Sequence, residues 1–257
     1  MKQLVLPPDA AGQDQYVLRG PDYHYLVHVR RVEAGDRLMA LCGDQRLCAE
    51  VSRLGKEELE LTVIATETLD RSPTSVVLFP FLLKSNKLDD VIRQACEAGV
   101  AAVVPVLGDH CISRFHDASD SQKKQIRWNT IARQAAQQSG NALCEIYMPL
   151  ESRAISEWWS RRGPLLFFHQ VPIQPSDPLV KPGLHRYLAE KSAHLGLVVG
   201  PEGGLSNGEL ADLQAHGAFP VWLGPAILRA ETASLAAVAA VNIILQERSQ
   251  WTVPMTV

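Results

Sequence analysis

The residues best suited to chemistry stand in two glycine-bearing turns near the C-terminus. Gly200-Pro201-Glu202-Gly203-Gly204 follows the apolar run Leu195-Gly196-Leu197-Val198-Val199, and Leu223-Gly224-Pro225 follows a second run from Phe219. Glycines at such points let main-chain N–H and C=O groups come close to a flat ligand such as a nucleoside. Glu202, inside the first turn, offers a base or a backbone acceptor that orients the turn. Arg229, just beyond the second, offers a permanent planar cation. Neither turn has a P-loop lysine or G-x-G-x-x-G spacing, so phosphate cradling is not what they indicate. Taken alone, either turn is equally an ordinary strand-to-helix connection; the pair is far more specific.

The flanking elements set where these turns sit. Leu195–Val199 is too short and too β-branched for a helix and reads as a buried strand. Ser206-Asn207-Gly208-Glu209 has the S-x-x-E form of a capping box and opens a helix that stops before Gly217. Phe219–Leu223 is the next strand, and residues 224–231 form the second loop. Thr232 is expected to cap a long helix ending near Arg248. Strand, loop, helix repeated twice is the grammar of an α/β sheet, which binds ligands outside the carboxyl ends of its strands.

Upstream, residues 1 to about 70 hold short β-type runs at 3–6, 15–18, 37–42, 46–53 and 58–66, separated by glycine turns, which suggests a small barrel. A helix is expected over Asp22–Val32. The polar stretch Leu69–Thr74 marks the domain boundary. Beyond it the pattern predicts a strand over Ser75–Leu83 and a helix capped by Asn86 and ended by Gly99. A strand over Val100–Leu107 and a long helix over Ser119–Ser139 follow, the latter with Trp128, Ile131, Ala132 and Ala135 on one face. Strands at Cys144–Met148 and Leu165–Phe168 flank a helix near Ala154–Trp159. His169 ends the second of these strands, as a cofactor-pocket residue or a structural one. Gln170–Pro182 is a Pro-rich connection and Gly183–Lys191 a helix.

Over 257 residues, 46% apolar and 21% charged content is that of a water-soluble globular chain of one large domain or two moderate ones. The start has no leader-like pattern, and the longest apolar run, Val76–Leu83, is too short to span a bilayer. Five scattered cysteines without C-x-x-C pairing argue for reduced thiols in the cytoplasm and against a zinc site. A net charge of −3 is inconvenient for binding nucleic acid. Between His110 and Arg133, however, five cations (Arg114, Lys123, Lys124, Arg127, Arg133) face only Asp117 and Asp120, either as a solvated helix face or as a basic footprint.

Read together, GPEGGLS at 200–206 and LGPAILRAETA at 223–233 resemble the SPOUT methyltransferases, and within them the RsmE family of 16S ribosomal RNA uridine N3-methyltransferases. The resemblance is near-complete over 195–245, punctured over 84–140 and loose over 1–70. It implies an α/β fold: a PUA-like RNA-binding barrel over 1–72, then a SPOUT domain over 73–257 with a deep trefoil knot whose loops hold S-adenosylmethionine. The family target is uridine 1498. Carried onto this chain, the cofactor site is His169, Gly200, Pro201, Glu202, Gly203, Leu223, Gly224, Ile227, Leu228 and Thr232. RNA contacts fall on His24, Arg30, Arg31, Lys84 and Arg114, with Arg31 alternatively a plain surface arginine.

Family motifs stand here as His24 with Val29-Arg30-Arg31-Val32-Glu33-Ala34-Gly35-Asp36, as Lys84, Lys87, Glu97-Ala98-Gly99-Val100 and Pro105, and as Trp128, Ile131 and 134–141. Gln94 replaces a lysine, Gln134 and Gln137 replace acids, and Asn141 replaces an arginine. These departures bear on the target nucleotide more than on the reaction type. The resemblance further implies small-subunit ribosomal RNA as partner, no metal, no membrane, and a homodimer. The last of these agrees with the Ala233, Ala236, Ala237, Ala240 stripe of the final helix, which otherwise reads as packing on its own sheet.

Uracil N3 is a weak acid, so methylating it requires a stabilised anion or a base. Arg229 and Arg114 are the candidate stabilisers and Glu202 the candidate base. Two alternatives remain: a methyltransferase for a ribose 2′-OH or another base, and a non-catalytic RNA-binding relative.

Overall fold

Alternating apolar residues from 15 onwards build four strands of a five-stranded sheet, their buried side chains entering one core. The computed structural model describes residues 4–6, 12–69, 73–115, 117–175 and 183–248. Half of the expected boundary at 69–74, His116 and most of the Pro-rich connection lie outside them. The chain divides into two units, Met1–Arg71 with Arg133–Leu143, and Ser72–Ala132 with Cys144–Val257.

In the first unit, β1 (Leu4–Leu6), β2 (Gln15–Arg19), β3 (Arg37–Cys42), β4 (Gln45–Leu54) and β5 (Glu58–Thr68) pair in the order β1-β3-β4-β5-β2. All pairs are antiparallel except β1 with β3. The sheet curls around Tyr16, Leu18, Leu38, Ala40, Leu59 and Leu61, with Leu26 fully buried among them. The helix expected over 22–32 begins earlier and stops sooner. Pro21 sits in the first turn of α1 (Gly20–His24), whose chain continues as a π-helical turn over Tyr25–Val29. Arg31 then takes φ 55, which ends the spiral and leaves its side chain exposed. Arg133 serves this unit, donating to the Val5 carbonyl at 2.7 Å and pairing with Asp22 at 2.8 Å.

The second unit is built on a parallel sheet of six strands in the order β13-β11-β12-β6-β7-β9. They are β6 (Ser75–Pro80), β7 (Ala102–Val103), β9 (Glu145–Ile146), β11 (Leu165–His169), β12 (His194–Val199) and β13 (Phe219–Trp222). β8 (Val106–Leu107) and β10 (Leu150–Glu151) pair separately. Helices α2 (Lys87–Glu97), α3 (Ala118–Ser139), α4 (Ile155–Trp159), α5 (Leu184–Tyr187), α6 (Asn207–Ala215) and α7 (Ala230–Arg248) connect them. Near-continuous burial along β6, β11 and β12 is that of strands covered on both faces. Gly196 is required in β12, because a Cβ there would lie 2.5 Å from Leu165.

Several expected boundaries change. The strand over 100–107 breaks into β7 and β8 at Pro105, which has no N–H to give a ladder. The first strand ends at Pro80, and Phe81 bridges to Val106 instead. Asn86 precedes α2 but makes no side-chain cap. The helix over 183–191 shrinks to α5. Thr232 is not the cap of α7: the Arg229 carbonyl already accepts from the Ala233 N–H at 2.8 Å, which places the helix start three residues earlier, at Ala230. The capping box forms as read, with both reciprocal bonds between Ser206 and Glu209.

Candidate functional site

The loops after β11, β12 and β13 enclose a cavity of about 270 Å³ at the carboxyl ends of those strands, near the lower end of ligand pockets, ~300 Å³. His169, Gly200, Pro201, Glu202, Leu223, Gly224, Ile227 and Leu228 all line it, with Arg229 at the rim. Phe168 and Leu205 add apolar wall. Gly203 and Thr232 are not in the lining. Gly203 faces the other way, and a Cβ on it would come within 3.0 Å of the His110 Cβ. Thr232 sits in the first turn of α7 and is exposed.

Glu202 is already occupied. It accepts the Lys84 N–H at 3.2 Å and lies 3.7 Å from the Lys87 ammonium. Lys87 also reaches Glu231, at 3.2 Å, so one lysine on α2 ties the first loop to the start of α7. Glu231 is held below its ordinary carboxylate value, first by its own backbone N–H; burial opposes this, and Lys87 and then Arg229 add smaller lowering effects. Ile227 is 82% exposed, an apolar side chain presented at the open edge of the second loop.

Arg114 does not line the cavity. Its guanidinium donates to the carbonyls of Gly108 at 2.9 Å and Asp109 at 3.2 Å. That bracing has a target. The Asp109 N–H donates to buried Glu209 at 2.9 Å, Ser206 donates to Asp109 at 2.6 Å, and His110 lies 3.1 Å from the Gly204 carbonyl. The turn after β8 is thereby clipped to the glycine loop. Glu209 and Ser206 were readable as a cap, but nothing in the spacing connects them to residues 108–110. Lys87 was visible only as part of a motif.

Of the other candidates, His24, Arg30 and Arg31 belong to the first unit and Lys84 to the second. His24 is exposed, with its ring 4.7 Å from that of His28. The basic stretch is largely engaged locally. Arg127 pairs with Asp89, Arg133 with Asp22, and Lys124 lies over the Phe115 ring. His169 keeps both readings: it lines the cavity while its Nδ1 closes a turn onto Val171. In α7, Ala237 is buried, whereas Ala233, Ala236 and Ala240 are half-buried and Leu235 and Ile243 exposed.

Residues 70–242 match an RNA methyltransferase domain family, and residues 18–64 match an RNA methyltransferase PUA domain. A Synechocystis protein named ribosomal RNA small subunit methyltransferase E is 30% identical over 248 residues, covering 95% of this chain and 78% of that one. A Borreliella burgdorferi protein named ribosomal RNA small subunit methyltransferase E 2 is 26% identical over 257 residues, covering 96% and 99%. The crystal structure of a ribosomal RNA small subunit methyltransferase E from Neisseria gonorrhoeae bound to S-adenosyl methionine superposes with a TM-score of 0.80 at 25% identity, covering 95% of this chain and 98% of that one. With the matched domains spanning both units and the glycine loops forming a cavity where such sheets bind ligands, the chain belongs to the ribosomal RNA small subunit methyltransferase E family.

Proposed function

We propose that this chain transfers the methyl group of S-adenosylmethionine to N3 of a uridine in small-subunit ribosomal RNA. The carrying observation is the cavity between the two glycine loops with Arg229 at its rim. Its walls suit the cofactor: Leu205, Leu223 and Leu228 offer apolar faces for adenine, and the glycines bring main-chain groups within reach. Besides its closest turn residues, Thr232 contributes from outside the lining and Gly203 through His110.

When bound, the cofactor supplies an activated methyl group. The chain's residues do the rest. Arg229 faces the opening and neutralises charge developing on O2 or O4 as the N3 proton leaves to solvent. Glu202, saturated by the Lys84 N–H and Lys87, orients its loop rather than acting as base. Arg114 acts likewise on residues 108–109. Proximity and orientation of donor and acceptor supply most of the rate.

Residues 1–72 serve as the PUA-like RNA-binding domain, with His24, Arg30 and Arg31 as contacts. Residues 73–257 form the catalytic domain, with Lys84 beside the cavity, and the trefoil knot belongs to this reading. No helix among the described residues is long and apolar enough to cross a membrane. A ribosomal RNA substrate would place the reaction in the cytoplasm. Mass mapping of 16S ribosomal RNA from a deletion strain tests the reading. Loss of one N3-methyluridine, restored by the gene, is expected; an unchanged nucleoside map overturns it.

Gly203→Val presses on His110 and its contact with Gly204 but leaves the cavity wall intact. Cofactor affinity should therefore fall only a few-fold (~1 kcal/mol, the low end of overpacking costs) by calorimetric titration. Complete loss of binding with an unchanged melting curve would place Gly203 in direct cofactor contact. The half-buried Ala233, Ala236 and Ala240 with exposed Leu235 suit a helix face that a second copy covers. Light scattering at micromolar concentration should give a homodimer that Ala236→Glu converts to monomer.

A further inference from the structure

A second, smaller cavity of about 70 Å³ lies in the same unit and shares no lining residue with the cofactor cavity. We infer that it holds one phosphate group of the RNA backbone close to the methylated nucleotide; this rests on the proposed function. Its charged lining is Lys124, Arg127 and Asp89, and its neutral polar groups are Ser85, Asn86 and Ser113. Asp89 is fully committed: one oxygen accepts from Trp128 Nε1 at 3.0 Å, and the other pairs with Arg127. It therefore fixes Arg127 in place without neutralising Lys124. The lining carries one cation more than it has carboxylates, and at about 70 Å³ it has too little room for a nucleoside. A compact anion with several acceptor oxygens suits such a site.

The backbone agrees. Ser85 takes φ 55, a left-handed conformation unusual for serine, and Asn86 follows at φ −95, ψ 12. A left-handed residue followed by a right-handed one is the backbone order in which anion-binding concavities form. Ser113 donates to the Leu83 carbonyl at 2.8 Å and so pins the opposite wall to the same loop. Lys84, one residue before Ser85, gives its N–H to Glu202 in the cofactor loop. A phosphate seated here lies one short loop from the methyl-transfer site.

The test measures binding and methylation of purified small ribosomal subunits, or their deproteinised RNA, against salt. In Lys124→Gln the slope of log K against log salt should fall by about one contact's worth, ~0.7–0.9. The KM for RNA should rise several-fold, with kcat and cofactor affinity unchanged. Asn86→Asp, which suits the helix-start position but adds charge to the cavity, should weaken RNA binding further while the melting curve holds. Inorganic phosphate at matched ionic strength should inhibit the wild type and spare Lys124→Gln; inhibition without any change of RNA slope would assign the site to free phosphate and overturn the RNA assignment. Wild-type turnover with unaltered slope and KM in both variants overturns the site alone. A wild type that neither binds nor methylates RNA overturns the functional reading and this inference together.

Discussion

Arg229→Lys should slow methyl transfer by on the order of a hundredfold, the usual cost of losing a donor aimed at developing transition-state charge. The backbone of Arg229 is fixed, since its carbonyl starts the hydrogen-bond ladder of α7. Its side chain stands exposed at the cavity rim. In the free protein water screens the guanidinium. Its effect therefore arises when bound RNA excludes that water, which places the loss in the rate of methyl transfer and not in cofactor affinity. Lysine keeps the charge but loses the planar fork that can grip O2 or O4. If Arg229 assists loss of the N3 proton, the wild-type single-turnover rate should rise less steeply with pH across the neutral range than the mutant rate. Parallel profiles with a small offset would make Arg229 a loop-packing or RNA-backbone residue.

What was readable in advance divides along a physical line. Local chemistry was readable. The capping box at Ser206 and Glu209, the glycine ends of α2 and α6, and the apolar runs of β6, β11 and β12 follow from side-chain and backbone preferences over a few residues. Boundaries set by tertiary context were not. Pro105 looked like part of a strand until two different partners claimed β7 and β8. Thr232 has the right side chain for a cap, yet the chain turns helical at Ala230. At the site, motif residues mapped to the cavity because they are consecutive in two loops. Arg114 stands by motif position as a candidate stabiliser of the uracil anion and an RNA contact, and its guanidinium donates to the carbonyls of Gly108 and Asp109. Contacts such as Asp109 to Glu209 join residues 100 positions apart, and no local pattern encodes them.

Lys87→Met should lower cofactor affinity by roughly tenfold, on the order of 1.4 kcal/mol, with little loss of thermal stability. Lys87 is the first residue of α2, and its ammonium lies 3.2 Å from Glu231 and 3.7 Å from Glu202. Those carboxylates belong to the two segments that wall the cavity, so this one cation sets the separation between them. Each partner is partly exposed, and the direct contribution to folding is accordingly small, at most about 1 kcal/mol. Its consequence for the site is larger, because removing it leaves two carboxylates repelling each other across the loops. Lys87→Arg should restore affinity, which a loss of simple packing at the Lys87 stem would not predict.

The pH dependence has a definite sign. Glu231 is depressed below its ordinary 4.5 in the folded protein. Its stabilising contribution is therefore present above that value and disappears as pH falls through the lower folded one. Wild-type affinity should hold steady from neutrality down to about pH 5, as Glu231 stays ionised beside Lys87. In Lys87→Met the carboxylate keeps the lowering by its own backbone N–H but loses that of Lys87, so it protonates at a higher pH than in the wild type and then relieves its repulsion with Glu202. The affinity gap should consequently narrow as pH falls from 7 towards 4.5. Calorimetric titration of both proteins with S-adenosylmethionine over that range decides the matter. A constant gap would assign the loss to packing around the Lys87 stem, and equal affinities at pH 7 would remove the strap from the cofactor site altogether.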